Sequence, residues 1–250
     1  MSDPGDVPDV VVKRGHAPGA TVAEAAGLRW LASAGTVPVP VVRSHDRDRL
    51  VIDRVPAGRP SAAAAERFGR GLAGLHAAGA PAFGAPPPDG LRDAWIGRAP
   101  MVNVPAADWA SWYASDRVLA YVRPAVDAGT FGPAEAAVFE RACARIPASA
   151  EPPARLHGDL WNGNVLWDGR EAWLIDPAAH GGHRETDLAM LHLFGCPHLE
   201  RVVAAYDEAA PLADGWRDRI GLHQLFPLLV HTVLFGQSYA DQALAAARSF

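Results

Sequence analysis

Asp159 is followed five residues later by Asn164, and Asp176 stands twelve residues beyond that. Residues of these types suit one kind of chemistry. A carboxylate can orient an alcohol and take its proton, while a carboxamide oxygen and a second carboxylate hold a magnesium ion against phosphate oxygens. On this reading Asp159 is the catalytic base, and Asn164 and Asp176 are the Mg²⁺ ligands. A phosphate donor such as ATP is then the expected co-substrate, and a lysine with an acidic anchor is expected upstream to hold its phosphates. Lys13, ending the β-prone run Val10-Val11-Val12, and Glu24, on a helix-like stretch, meet that need in the expected order.

The elements that must position these groups follow from pattern and punctuation. Asn164-Val165-Leu166-Trp167 and Ala172-Trp173-Leu174-Ile175-Asp176 flank Asp168-Gly169, a strong hairpin signal because Gly accepts positive φ in a tight turn. Paired strands lie about 4.8 Å apart, so Asn164 entering and Asp176 leaving the hairpin should converge. Strands are expected at Val10–Lys13, Val37–Val42 and Leu50–Asp53, with a helix over Thr21–Ala34. The Pro- and Gly-rich run Val55-Pro56-Ala57-Gly58-Arg59-Pro60 reads as a hinge. Beyond it, helices are expected over Ser61–Ala78, Ala106–Ala128, Pro133–Ile146, Glu185–Phe194, Leu199–Ala209 and from Trp216 onward. The division is a small β-rich lobe (1–55), a linker (56–60) and a large, mostly helical lobe (61–250), an α+β architecture.

Composition narrows the function classes. The 250 residues are 49% hydrophobic, enough for a sizeable core, and the formal charge of −5 with 23 scattered Lys and Arg shows no basic stripe for nucleic acid. The acidic opening Met1–Asp6 lacks the positive start and apolar run of a secretory signal. Leu222–Phe235, the longest apolar stretch, is shorter than the roughly 20 residues a membrane helix needs and reads as a buried core helix. Cys143 and Cys196 lie far apart without metal-ligand spacing, as expected of buried free thiols in a reducing cytoplasm.

His157-Gly158-Asp159-Leu160-Trp161-x-Gly163-Asn164 resembles the kinase catalytic loop, with Gly158 where protein kinases have Arg. Together with Ile175-Asp176-Pro177-Ala178-Ala179-x-Gly181-x-His183-Arg184-Glu185-x-Asp187-Leu188-Ala189-Met190, it resembles the fructosamine (ketosamine-3-) kinases, within the aminoglycoside phosphotransferase-like kinases. The resemblance runs from about Val10 to the C-terminus. It implies a two-lobed protein-kinase-like fold, use of ATP and Mg²⁺, and phosphorylation of the sugar-derived part of glycated amines. It assigns Asp159 as base, Asn164 and Asp176 to metal, Lys13 to phosphate with Glu24 as its partner, and Asp53, Arg54 and Val55 to the adenine side. Arg184 and Asp187 are expected to brace the catalytic loop, and His157, Trp161 and Trp216 are substrate candidates. Only twelve residues precede Lys13, so the usual phosphate-covering loop is expected to be missing, the small lobe to be truncated and ATP binding to be weak.

Other signals compete with this reading. Gly69-Arg70-Gly71-Leu72-Ala73-Gly74 satisfies a dinucleotide fingerprint literally, but it follows no strand and lies in a helix-like run, where glycines permit close packing. His157, Asp159, Asp176, His180 and His183 can be drawn as a metal-hydrolase cluster, although the last two sit in a Gly-rich loop. His76, His192, His223 and His231 have apolar helical surroundings suited to core residues. Trp161, Trp173 and Trp216 fit either an acceptor pocket or core packing. The alternatives to a fructosamine-type kinase are a related kinase for aminoglycoside or choline-like alcohols, and a catalytically weak remnant.

Overall fold

The computed structural model describes residues 9–250, so the Met1–Asp6 opening lies outside the described residues. β1 (Val10–Arg14), β2 (Val42–His45) and β3 (Arg49–Asp53) form an antiparallel sheet in the order β1-β3-β2, with Lys13 opposite Leu50. α1 (Ala20–Ala32) packs on it, burying Leu28 and Leu31 in the same apolar cluster as Leu50 and Ile52. The strand expected at Val37–Val42 starts its pairing only at Val42. Pro38 and Pro40 have no N–H to give a ladder, yet Val37 and Val39 are still buried and the Pro38 carbonyl accepts from Leu174 N–H at 3.0 Å.

α2 (Ala62–Ala77) starts at Ser61, whose hydroxyl accepts from Ala64 N–H at 3.2 Å. A hairpin absent from the sequence reading follows, β4 (Asp93–Ile96) paired with β5 (Ala99–Val102). The single helix expected over Ala106–Ala128 is instead α3 (Trp109–Trp112), a π-helical stretch Tyr113–Leu119 and α4 (Ala120–Asp127). Asp108 sets the late start by capping Ser111 N–H at 2.8 Å, while Ala106 bridges to Phe83. α5 (Pro133–Cys143) precedes β6 (Ala154–Leu156), β7 (Val165–Trp167), β8 (Ala172–Leu174) and β9 (His180–Gly182). β7 and β8 form the expected hairpin, and β6 pairs with β9.

α6 (Glu185–Phe194), α7 (Leu199–Ala209), α8 (Ile220–Phe235) and α9 (Gln237–Arg248) complete the chain, with Gly236 breaking the helix expected from Trp216 onward. α8 is the core helix anticipated at Leu222–Phe235; Leu225, Phe226 and Leu229 are fully or almost fully buried. Burial of each such side chain is worth about 1.5–3 kcal/mol. The fingerprint-like glycines lie inside α2: a Cβ on Gly69 would stand 2.1 Å from the Val202 carbonyl, so this position serves the contact with α7. Cys143 and Cys196 are free but only half-buried. Among the described residues no helix is long and apolar enough to cross a membrane.

Candidate active site

The segment 157–164 leaves β6 and returns into β7, so two short strand pairs define its ends. Gly158 has φ +81°, and a Cβ there would meet the Ala178 carbonyl at 2.1 Å. An Arg at this place, as in protein kinases, would clash with the chain after β8. From below, Asp187 in the first turn of α6 accepts the backbone N–H groups of His157 at 2.7 Å and Gly158 at 2.9 Å. His76 Nε2 donates to the same carboxylate at 3.1 Å and is itself oriented by Tyr206 Oη at 2.8 Å. Burial opposes ionisation of Asp187, but these donors and the α6 N-terminus outweigh it and hold the carboxyl below its usual range. Asp187 thus holds the backbone of His157 and Gly158 in place.

His157 belongs to the same scaffold. Its side chain is buried away from the cavity, Nε2 donating to the Ile175 carbonyl at 2.9 Å and Nδ1 accepting from Asp159 N–H at 3.2 Å. Arg184 differs from expectation: it pairs with Glu151 at 2.8 Å and donates to the Ala210 and Pro211 carbonyls, so it ties the approach to β6 to the end of α7 rather than gripping the loop.

Asp159, Asn164 and Asp176 line one cavity of about 550 Å³, together with Lys13 and Glu24. Asn164 Nδ2 donates to the Asp159 carboxylate at 3.0 Å and to its carbonyl at 2.8 Å. Burial pushes the Asp159 carboxyl up to about 7, with the hydrogen bond from Asn164 opposing and Asp176 and Asp187 adding to the rise. A carboxylate poised near neutrality is well placed to accept a proton. Asp176 occupies the left-handed region at φ 54°, uncommon for a non-glycine residue and the kind of local strain that collects at functional sites. Its Oδ1 receives Lys13 Nζ at 2.5 Å, and the same ammonium bonds Glu24. Burial works against the Lys13 charge, but the two carboxylates keep its pKa above the ordinary value. The hydrogen bonds of Asn164 use its nitrogen, and that of Asp176 uses Oδ1. One amide oxygen and one carboxylate oxygen therefore remain, hard donors of the type Mg²⁺ takes.

Trp161 lines the cavity and is 40% exposed, with Phe194 edge-on at 6.1 Å. Trp216 lies elsewhere, against His192 at 5.8 Å, and Trp173 donates to Asp168 at the hairpin turn. Asp53 and Arg54 form surface ion pairs with Arg43 and Asp9, and with Val55 they stand outside the lining of this cavity. The β4–β5 hairpin contributes Trp95, Arg98 and Met101 to the wall, and α8 contributes His231 and Phe235. Sequence reasoning missed these; alternation of buried Ala94, Ile96, Ala99 and Met101 around Gly97 was the available signal.

The suspected histidine cluster divides. His157 and His180 turn to backbone carbonyls, while His183, Glu185 and His223 gather in a buried group of metal-ligating types. Arg219 already engages both Glu185 oxygens, at 2.6 and 2.9 Å, and burial holds His183 and His223 below the usual imidazole range, which makes this group a structural network around Glu185.

A family model for fructosamine kinase matches residues 10–249. A candidate ketoamine kinase from Enterococcus faecium is 36% identical over 176 residues, which are 68% of this chain and 61% of that protein, so the chain spans under two thirds of this relative. A candidate fructosamine-3-kinase structure from Thermobifida fusca aligns with a TM-score of 0.90 at 49% identity, covering 98% of this chain and 86% of that one. A macrolide 2'-phosphotransferase from Brachybacterium faecium, 17% identical, aligns with a TM-score of 0.59 over 97% of this chain and 85% of its own, a likeness of fold. The kinase-like α+β fold and the catalytic-loop resemblance agree with these matches, and the chain belongs to the fructosamine kinase family of phosphotransferases.

Proposed function

We propose that this protein transfers the γ-phosphoryl group of ATP to a sugar hydroxyl of a ketoamine, the product of glycation of an amine. The observation that carries the reading is the convergence of Asp159, Asn164, Asp176 and Lys13 on one cavity. Asp159 orients the acceptor hydroxyl and takes its proton as the new P–O bond forms and the bond to ADP breaks. Asn164 and Asp176 would hold Mg²⁺, which when bound neutralises charge on the phosphate oxygens. Lys13, steadied by Glu24, binds the donor phosphates, and its present bond to Asp176 gives way as nucleotide and metal enter. Trp161 offers an aromatic face to the acceptor. Asp53, Arg54 and Val55 remain our assignment for the adenine side, and the cytoplasm, which holds ATP and keeps thiols reduced, is the compartment this activity requires.

The test is ATP consumption and phosphate-ester formation across glycated amines, free sugars, amino alcohols and aminoglycosides. A glycated amine should be the best acceptor. Preference for choline-like or aminoglycoside alcohols would replace the acceptor class, and ATP turnover with none of them would remove the reading.

A further inference from the structure

The cavity beside Asp159 has a wall residue that the reaction scheme leaves without a role. Asn103, just after β5, lines the cavity although the residue is only 1% exposed. Its Oδ1 accepts from Arg117 Nη2 at 3.1 Å, whereas Nδ2 has no hydrogen-bond partner among the described residues. The orientation of the amide is forced, because a guanidinium has only donors and a flipped amide would set N–H against N–H.

Arg117 is an unusual neighbour. It lies in the π-helical stretch, 1% exposed, with its guanidinium 4.6 Å from the Trp112 ring centre and 5.3 Å from that of Phe226. Its hydrogen bonds go to neutral oxygens: the carbonyls of Val102 and Asp116 and the amide of Asn103. Taking a cation out of water without a carboxylate beside it is costly, and so is an amide N–H left unpaired. A ligand oxygen in the cavity satisfies the amide N–H, and that hydrogen bond from Nδ2 is strengthened by the cation on the other side of the amide, while Arg117 Nε stays without a partner among the described residues.

We infer that Asn103 is a specificity-determining residue: held by Arg117, it donates from Nδ2 to an oxygen atom of the acceptor substrate. This rests on the reading of the cavity as the acceptor site of a ketoamine kinase. No covalent step is involved; Asn103 adds recognition of an oxygen-bearing acceptor to the proton transfer at Asp159.

The decisive variant is Asn103→Asp. It keeps an acceptor for Arg117, now charged, and removes the donor. A merely structural role predicts a fold as stable as the wild type or more so, with unaltered kinetics. Recognition predicts a retained or raised Tm, an unaltered KM for ATP, and Kd and KM for fructosyl-glycine raised about 10- to 100-fold. Calorimetric titration gives Kd without turnover. A second arm titrates both the wild-type protein and Asn103→Asp with fructosyl-glycine analogues each lacking one sugar oxygen in turn. One analogue should bind about 10-fold or more weakly to the wild type yet no worse than the parent to the variant. Wild-type turnover with Asn103→Asp binding fructosyl-glycine equally well, or every analogue binding the wild type like the parent, overturns this inference alone. Wild-type protein that neither binds nor phosphorylates fructosyl-glycine overturns the acceptor reading and this inference with it.

Discussion

Asp187 grips the catalytic loop through two backbone N–H bonds of 2.7 and 2.9 Å from a position 1% exposed, whereas Lys13 is held across the cavity by side-chain charges, one of them on the 44%-exposed Asp176. The first arrangement presets geometry. Its donors belong to the backbone and have no water to turn to, so the loop must keep its shape for Asp187 to stay satisfied. The second can exchange partners at its exposed end, because an ion pair that reaches solvent, as Lys13–Asp176 does, contributes about 1 kcal/mol or less. On the proposed mechanism the two regions divide the work: the group assigned to the proton is fixed before substrate arrives, and the groups assigned to phosphate are free to rearrange around it.

The largest expected effect lies at the reacting atom. Asp159→Asn should lower kcat by about 10²–10⁴ with little change in ATP affinity, measured by steady-state kinetics beside nucleotide titration. Unchanged turnover would remove Asp159 from its role. Next comes the grip itself: Asp187→Ala orphans two buried N–H groups and a histidine, and should cost about 3–5 kcal/mol of stability in urea unfolding. A loss near 1 kcal/mol would erase the contrast between the two regions.

Acid should attack the same side. Burial, chiefly, lowers the pKa of His180 and His183 to about 3, against 6.5 for the ordinary imidazole. On acidification the unfolded chain binds protons first, so this contribution is fully present above pH 6.5 and is lost as pH falls from there towards 3. Each histidine adds a slope approaching about 1.4 kcal/mol per pH unit. Urea midpoints at pH 7, 6 and 5 should fall, and His180→Asn should flatten the decline. The smallest change in stability is expected at Lys13→Met, within about 1 kcal/mol, accompanied by a rise in the KM for ATP. A large stability loss there would show that the ammonium is a fold anchor after all.

The site was legible where its signals were local. Asp168-Gly169 announced the β7–β8 hairpin, and that hairpin brings Asn164 and Asp176 to one cavity. Asp187 could be named as a brace, but its partners, backbone groups of residues 157 and 158 and the ring of His76, are long-range and leave no trace in spacing. The pairing of β6 with β9 escaped for the same reason. In the β4–β5 hairpin, Pro100 lies opposite Trp95, a place compatible with an edge that needs no N–H at that point. Asn103 and Arg117 were invisible because a polar pair fourteen positions apart says nothing until the fold buries both without a carboxylate between them.

In the proposed mechanism a preset Asp159 and a rearrangeable Lys13–Asp176 pair together move phosphate from ATP to a ketoamine hydroxyl. Phosphorus NMR of the wild-type protein with ATP, MgCl₂ and fructosyl-glycine tests it directly. ADP and a new sugar phosphomonoester should form in equal amounts, and about 10²–10⁴-fold more slowly with Asp159→Asn; inorganic phosphate alone, or unconsumed ATP, is incompatible with such a transfer.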